Sequence, residues 1–274
     1  MSSHEVRANH EHMSARAPTP TVRLATGQRS SLSWGFVLAS GDTARVRCTT
    51  AAEGDFAIDT NPTDHPADHW ADRLAERRQA LVPLPWTWLR QVHGTEVVTV
   101  AEPGARAGAA ADAAVTTAVG AALAIQAADC APVALVADEG VVAAVHAGWR
   151  GLSAGVVKRA AGAVRRAGGV RLRAVVGPCI HACCYEFGGA DLDRVAARYG
   201  DGVRATSRAG APALDLPAAV GAALRAADAE VVGTSPGCTA CGTPAMFSHR
   251  ARGDTARQAM VVWLEGGAPE PTTP

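Results

Sequence analysis

Residues 121–151 read AALAIQAADCAPVALVADEGVVAAVHAGWRG, and the fold turns on how this stretch is parsed. Three apolar runs follow one another: AALAIQA (121–127), PVALVAD (132–138) and VVAAV (141–145). Each has strand length and is bounded by polar or turn-forming residues. Asp138-Glu139-Gly140 has the composition of a tight turn, which predicts a hairpin between the last two runs. HAGWRG (146–151) then leaves the third strand and leads into LSAGVVKRAAGAVRRAGG (152–169), a helix expected to end at its glycine pair.

Outward from this stretch the same alternation continues. HWADRLAERRQAL (69–81) places Trp70, Leu74 and Leu81 at helical spacing, with Arg and Glu on the other face. WTWLRQV (86–92) alternates as a strand does, and EVVTV (96–100) follows the turn-like His93-Gly94. RAVVG (173–177) returns as a strand, and ALDLPAAVGAALRAAD (213–228) is a helix with Asp215 as its N-cap. EVVG (230–233) and QAMVVWL (258–264) are expected to close the sheet. Hairpin-linked strands with helical crossovers imply a mixed sheet under helices, an α/β (α+β) fold.

The 274 residues carry no net formal charge and are 48% hydrophobic, enough to build a substantial core. Balanced charge without a basic tract argues against nucleic acid as a partner. No apolar run reaches the roughly 20 residues that span a bilayer. The polar start MSSHEVRANHEHMSARAPTP lacks the apolar region of a signal peptide, so a cytoplasmic location is expected. Residues 1–20 read as a disordered extension, in which His4, His10 and His12 offer at most stray metal binding. Residues 21–265 read as a single catalytic domain and 266–274 as a loose tail. The seven cysteines, odd in number and including the adjacent Cys183-Cys184, disfavour a disulfide framework.

Three reactive side chains stand at strand ends: His93, Cys130 and His146. Two imidazoles and a thiolate suit Zn²⁺ and leave a fourth position for water or substrate. Their spacing, 37 residues and then 16, matches no local zinc motif. From spacing alone, two ordinary strand-end histidines and a buried small thiol are the preferred account. Asp129 is either an acceptor for a metal-bound histidine or the cap of a turn. Gln126 lies on the strand before Cys130. Gly148 and Gly151 permit close backbone approach, and Arg150 at a helix start would hold a phosphate or carboxylate beside His146. That Trp149 and Arg150 simply pack and salt-bridge the turn is an equal alternative.

The segment GPCIHACCYEFG (177–188) gathers Cys179, His181, Cys183 and Cys184, but nothing in the spacing makes four ligands converge, and a structural loop at the edge of the site is preferred. Cys238 and Cys241 form a Cys-x-x-Cys pair without the second pair of a zinc ribbon.

RQVHG (90–94), DAAVTT (112–117), LAIQAADCAPVALVAD (123–138), VAAVHAGWRGLSAGVV (142–157), VGPCIHACCYEFG (176–188) and CTACGTPAMFSHRARGDTARQ (238–258) resemble, in order, the motifs of the YfiH-like laccase-domain family. The resemblance implies a layered α/β/β/α sandwich. It implies zinc held by His93, Cys130 and His146. The expected catalytic residues are Cys130, His146 and Arg150, and Gly148, Gly151, Arg150 and Gln126 are expected around the substrate. The implied activity is phosphorolysis of purine nucleosides (adenosine, inosine or methylthioadenosine) by phosphate, with adenosine deamination as a second reaction. A homodimer is a further expectation. The sequence departs from the family around residues 47–59 and 76–81, and at the C-terminal motif. His249 replaces a tyrosine there, and Ala251 and Ala256 depart from FFSYRR and TGR.

Three other readings stand beside this one. The first is copper-dependent oxidation of phenols, for which Cu²⁺ would take the same site. Multicopper chemistry, however, needs more histidines than these motifs supply. The second is an amidase editing peptidoglycan precursors, with Cys130 as nucleophile and His146 or His93 as base. The third is a binding module with a closed four-ligand zinc, for instance through Cys179.

Overall fold

The computed structural model describes residues 21–24, 32–58, 70–242 and 245–267. The expected N-terminal extension with its histidines, and residues 268–274 of the expected tail, lie outside them. Two sheets dominate. The larger contains, side by side, β1 (Thr21–Leu24), β2 (Leu32–Val37), β3 (Thr43–Cys48), β15 (Gln258–Glu265), β8 (Ala122–Ala127), β4 (Trp86–Arg90) and β6 (Ala109–Ala110). The other contains β14 (Ala229–Thr234), β11 (Leu172–Val176), β9 (Ala131–Ala137), β10 (Val141–Ala147), β7 (Ala113–Thr116) and β5 (Val97–Val100). A short ribbon pairs β12 (Arg204–Thr206) with β13 (Pro212–Leu214).

The alternation of side chains assigns the layers. From β9 and β10, Val133, Leu135, Val141, Ala143 and Val145 pack on one side, against α2 (Trp149–Ala154), α3 (Val156–Arg166), α4 (Gly189–Tyr199) and α5 (Leu216–Arg225). Ala134, Val136, Val142 and Ala144 point the other way and meet Leu123 and Ile125 of β8 and Met260 and Val262 of β15. The opposite faces of β8 and β15, Ala122, Ala124, Val261 and Trp263, are covered by Leu74 and Leu81 of α1 (Trp70–Leu81). The order is helices, sheet, sheet, helix: the expected α/β/β/α sandwich. Every residue of β9 and β10 is buried because both faces of this antiparallel hairpin are covered. Truncating a side chain such as Leu135, fully enclosed, should cost about 2–5 kcal/mol.

Four details differ from the expectation. The first apolar run does not join the next two: β8 belongs to the larger sheet, and the chain changes sheets at 128–130, with Asp129 at φ 95°. The expected helix 152–169 begins earlier and is split into α2 and α3 by Gly155, whose φ of 96° no β-carbon tolerates well. EVVG and QAMVVWL lie in different sheets, as β14 and β15. Residues 212–214 form β13, so α5 starts only after Asp215, which caps it by accepting from the Ala218 amide at 2.9 Å. Strands β2 and β3 and helix α4 were not among the expected elements, although LSWGFV and TARVRC alternate and Leu192, Val195 and Ala196 recur at helical spacing.

Candidate metal centre and cavity

His93, Cys130 and His146 converge. Their donor atoms all lie within 4.8 Å of one another, and the Cys130 sulfur is 3.7 Å from Nε2 of His93. The three come from β4's end, from the crossing between sheets and from β10. Topology rather than local spacing therefore assembles the group.

One buried carboxylate organises both histidines. Asp112, at the head of β7, accepts from the backbone amides of Val92, His93 and Gly94 at 3.3, 2.9 and 2.7 Å. It also bonds Nδ1 of His146 at 2.8 Å. Its own carbonyl accepts the His146 amide at 2.7 Å. Burial alone would raise the Asp112 pKa, but bonds from His146, Gly94 and Val92 outweigh burial and hold it below the ordinary carboxylate value. The three amides hold His93 in a left-handed conformation, φ 58°, which is uncommon outside glycine and recurs at functional sites. The bond to Nδ1 turns Nε2 of His146 toward the other two donors, as a carboxylate behind a metal-bound histidine does.

Gly148 lets the group close. A β-carbon there would stand 2.8 Å from Cδ2 of His93 and 2.9 Å from the Cys130 sulfur. Gly151 is equally tight, 3.0 Å from the Gly94 carbonyl oxygen. These glycines serve packing of the centre.

Burial would raise the Cys130 thiol, but the fields and bonds of His146 and His93 outweigh it and bring it down to about 6. Burial opposes protonation of His146, yet the Cys130 thiolate and Asp112 lift it to about 9. A thiol that ionises this readily beside two oriented imidazoles is a donor set suited to a soft or borderline divalent cation.

The centre opens into a cavity of about 360 Å³. Gln126, His249 and Arg257 contribute its polar wall, with Leu89 and Ile58 among its apolar residues. Gln126 is only 5% exposed, and both its amide nitrogen and its amide oxygen lack a partner. Its neighbours differ. Gln91 exchanges two bonds with the Gln126 backbone, 2.8 and 2.9 Å, and Gln258 exchanges two with that of Phe247, 2.9 and 3.2 Å.

Other expected residues fall elsewhere. Arg150 is exposed, stacked 4.4 Å over the Trp149 ring, and does not line this cavity. Asp129 is neither the acceptor of a histidine nor a turn cap. Its carboxylate accepts from the Thr239 hydroxyl at 2.6 Å and the Arg250 amide at 2.7 Å. Cys179 is buried against the Cys238 strand bridge and is not grouped with the three donors. Of the divergent C-terminal positions, His249 faces the cavity whereas Ala251 and Ala256 do not line it. Asp112 and Arg257 had gone without a role. Asp112 did leave a signal, an isolated acid heading the apolar strand AAVT.

A sequence model of the multi-copper polyphenol oxidoreductase laccase family matches residues 47–265, and the chain belongs to that family. Among its relatives is a purine nucleoside phosphorylase of Mycobacterium tuberculosis, 38% identical over 247 residues, which span 83% of this chain and 97% of that protein. A Streptomyces coelicolor purine nucleoside phosphorylase is 39% identical over 197 residues, 70% of this chain and 80% of the relative. The crystal structure of a Neisseria meningitidis protein superposes with a TM-score of 0.72 at 28% identity, covering 86% of this chain and 99% of that one. That of Bacillus licheniformis YfiH gives 0.69 at 22% identity, over 84% and 99%, a likeness of fold alone. No helix among the described residues is long and apolar enough to cross a membrane.

Proposed function

We propose that this chain is a zinc-dependent purine nucleoside phosphorylase. One observation carries the reading: a nitrogen, nitrogen and sulfur donor set opens into a cavity of small-molecule size whose wall holds an unpartnered buried amide. The names of the relatives supply the substrate class. His93, Cys130 and His146 would hold the metal through Nε2, Sγ and Nε2, with Asp112 fixing both imidazoles. Zinc bound there supplies Lewis-acid polarisation and orientation of a phosphate or ribose oxygen.

The protein's own groups do the rest. The Gln126 amide, one donor and one acceptor side by side, matches the alternating edge of a purine. Arg257 supplies positive charge and His249 an imidazole hydrogen-bonding group where the phosphate enters, and we assign them the anion in preference to Arg150 because they line the cavity. Arg257 is held in place by bonds from its guanidinium to the carbonyls of Asp254, Thr255 and Ala256, 2.8 to 3.0 Å. A phosphate oxygen attacks C1′ as the C1′–N9 bond breaks. The base leaves with the bonding pair and takes up a proton, and pentose 1-phosphate remains.

Adenosine, inosine and methylthioadenosine are the substrates to try first. Zinc-loaded protein incubated with adenosine, with and without phosphate and beside Cys130→Ala, separates the readings. Adenine released only with phosphate, and not by the variant, supports phosphorolysis. Inosine formed without phosphate makes deamination the reaction. No turnover from protein carrying zinc at this centre sinks the nucleoside reading and moves thiol amidase chemistry forward. Copper taken up by the same donors would give at most incidental oxidation of phenols.

A further inference from the structure

A second cluster of donors lies outside this centre. Cys183 and Cys184 sit on the 3₁₀ turn Ala182–Cys184, and Cys238 and Cys241 on the loop that follows β14. All four sulfurs lie within 4.8 Å of one another. The chain holds no second Cys-x-x-Cys pair, but the turn supplies its equivalent. Neighbouring side chains of a strand point to opposite faces, whereas a 3₁₀ turn sets them about 120° apart, so both can face one loop.

We propose that Cys183, Cys184, Cys238 and Cys241 form a second, closed metal centre, a tetrathiolate site for a structural Zn²⁺. The geometry fits. Zn–S bonds near 2.3 Å in a tetrahedron require sulfurs roughly 3.8 Å apart. Cys183 and Cys241 stand at 3.7 Å, and the widest pair needs to contract by only about 1 Å. The same 3.7 Å is far beyond a disulfide's roughly 2.05 Å, and all four cysteines are free. The His181 amide donates to the Cys238 sulfur at 3.3 Å, a bond of the kind that steadies metal thiolates. The Arg208 amide bonds the Cys183 carbonyl at 3.0 Å, which fixes the turn that carries Cys183 and Cys184. Four soft sulfur ligands select zinc over harder divalent ions.

The position explains what such a centre is for. Between its last two ligands, Thr239 bonds the Asp129 carboxylate, and the Ala240 carbonyl accepts from Arg252. The Thr239 amide also bonds the Cys179 carbonyl at 3.1 Å. Metal at the cysteines therefore clamps the loop that holds Asp129, the residue next to Cys130. The role is structural: no atom of this cluster lines the cavity.

The test counts metal in a background where the first centre is removed, so that its result is independent of the proposed reaction. Full-length His93→Ala/His146→Ala protein is purified under reducing conditions, loaded with zinc, desalted and analysed for metal. About one zinc per chain is expected, falling to near none when Cys183→Ser and Cys241→Ser are added. Cobalt in place of zinc should give the strong charge-transfer absorption of several thiolates in the background protein and in the unmutated chain, where no folding defect can intervene. Absence of zinc from the background protein, zinc that survives loss of Cys183 and Cys241, or the mass deficit of a disulfide in freshly reduced protein would each overturn the site.

Discussion

The two thiol-bearing clusters are joined through Asp129 and Cys130, yet they differ in what surrounds them. At the first, three donors leave one coordination position facing a cavity, and a buried carboxylate orients both imidazoles. At the second, four sulfurs stand within 4.8 Å of one another, and none of them lines that cavity. Three protein ligands with an open position define a catalytic zinc, and four sulfur ligands a structural one. The contrast also separates how each was built. The first requires Gly148 to lack a side chain and His93 to hold a left-handed backbone, strain that Asp112 offsets with three amide bonds. The second needs only two loop segments to meet.

The largest effect that tests this contrast belongs to Cys130→Ala. Loss of the thiolate should remove metal from the open centre and reduce turnover to background, while zinc at the four cysteines and thermal stability remain. Metal counting beside a melting curve reads both. Loss of both metals together would mean that the clusters are one structural unit and would end the distinction drawn between them.

Asp112→Asn comes next. The amide keeps the shape but cannot accept all four bonds, and one of its hydrogens faces a backbone N–H. Metal affinity at the first centre should fall about 10–100-fold, the usual cost of losing the carboxylate that orients a metal-bound histidine. Competition with a zinc chelator measures it. An unchanged affinity would show that Gly148 and the strand ends position the histidines unaided. Gly148→Ala should act in the same direction by pushing on His93 and Cys130, and a displacement of about 1 Å there can cost on the order of a hundredfold in rate.

Gln126→Leu sharpens the comparison from the substrate side. With zinc content unchanged, kcat/KM for a purine nucleoside should fall about tenfold, the scale of one or two net hydrogen bonds. The free protein should become more stable, because the variant no longer buries an amide without partners, a relief of about 1–3 kcal/mol. Opposite signs for stability and activity are what a residue kept for a ligand gives. A variant that is both less stable and fully active would assign Gln126 to packing.

How much of this was legible in the sequence follows from which interactions are local. β9, its hairpin turn and β10 could be read directly, because apolar runs and Asp138-Glu139-Gly140 act at short range. The partition of β8 into the other sheet could not, since it depends on Asp129 reversing the chain between two runs of the same composition. Strands β2 and β3 went unread although LSWGFV and TARVRC alternate buried and outward residues at period two, because each run is only six residues long. The donors were nameable by residue type, and the family resemblance grouped them, but convergence is a property of topology. Asp112 escaped because its partners lie 18 to 34 residues away. The four-cysteine cluster escaped because 58 residues separate Cys183 from Cys241. Arg150 is the opposite case: its place at a helix start beside a histidine suggested an anion-binding role by local spacing alone, and its side chain stands over the Trp149 ring outside the cavity lining.

Arg150→Ala is therefore the smallest expected effect and the finest test of where phosphate binds. The guanidinium is exposed and shares the Trp149 ring with Arg194, at 4.4 and 5.9 Å. An exposed cation–π contact contributes about 0.5–1 kcal/mol, so the variant should be slightly less stable. Its KM for phosphate should stay within about twofold, because removing a solvent-screened charge outside the cavity leaves little to lose. Arg257→Ala, by contrast, should raise that KM about tenfold or more, the cost of a charged hydrogen bond to an anion. Initial rates at varied phosphate and fixed nucleoside decide between them. If Arg150→Ala carries the larger effect, the phosphate approaches past Trp149, and the open face of the first centre is on that side of Cys130.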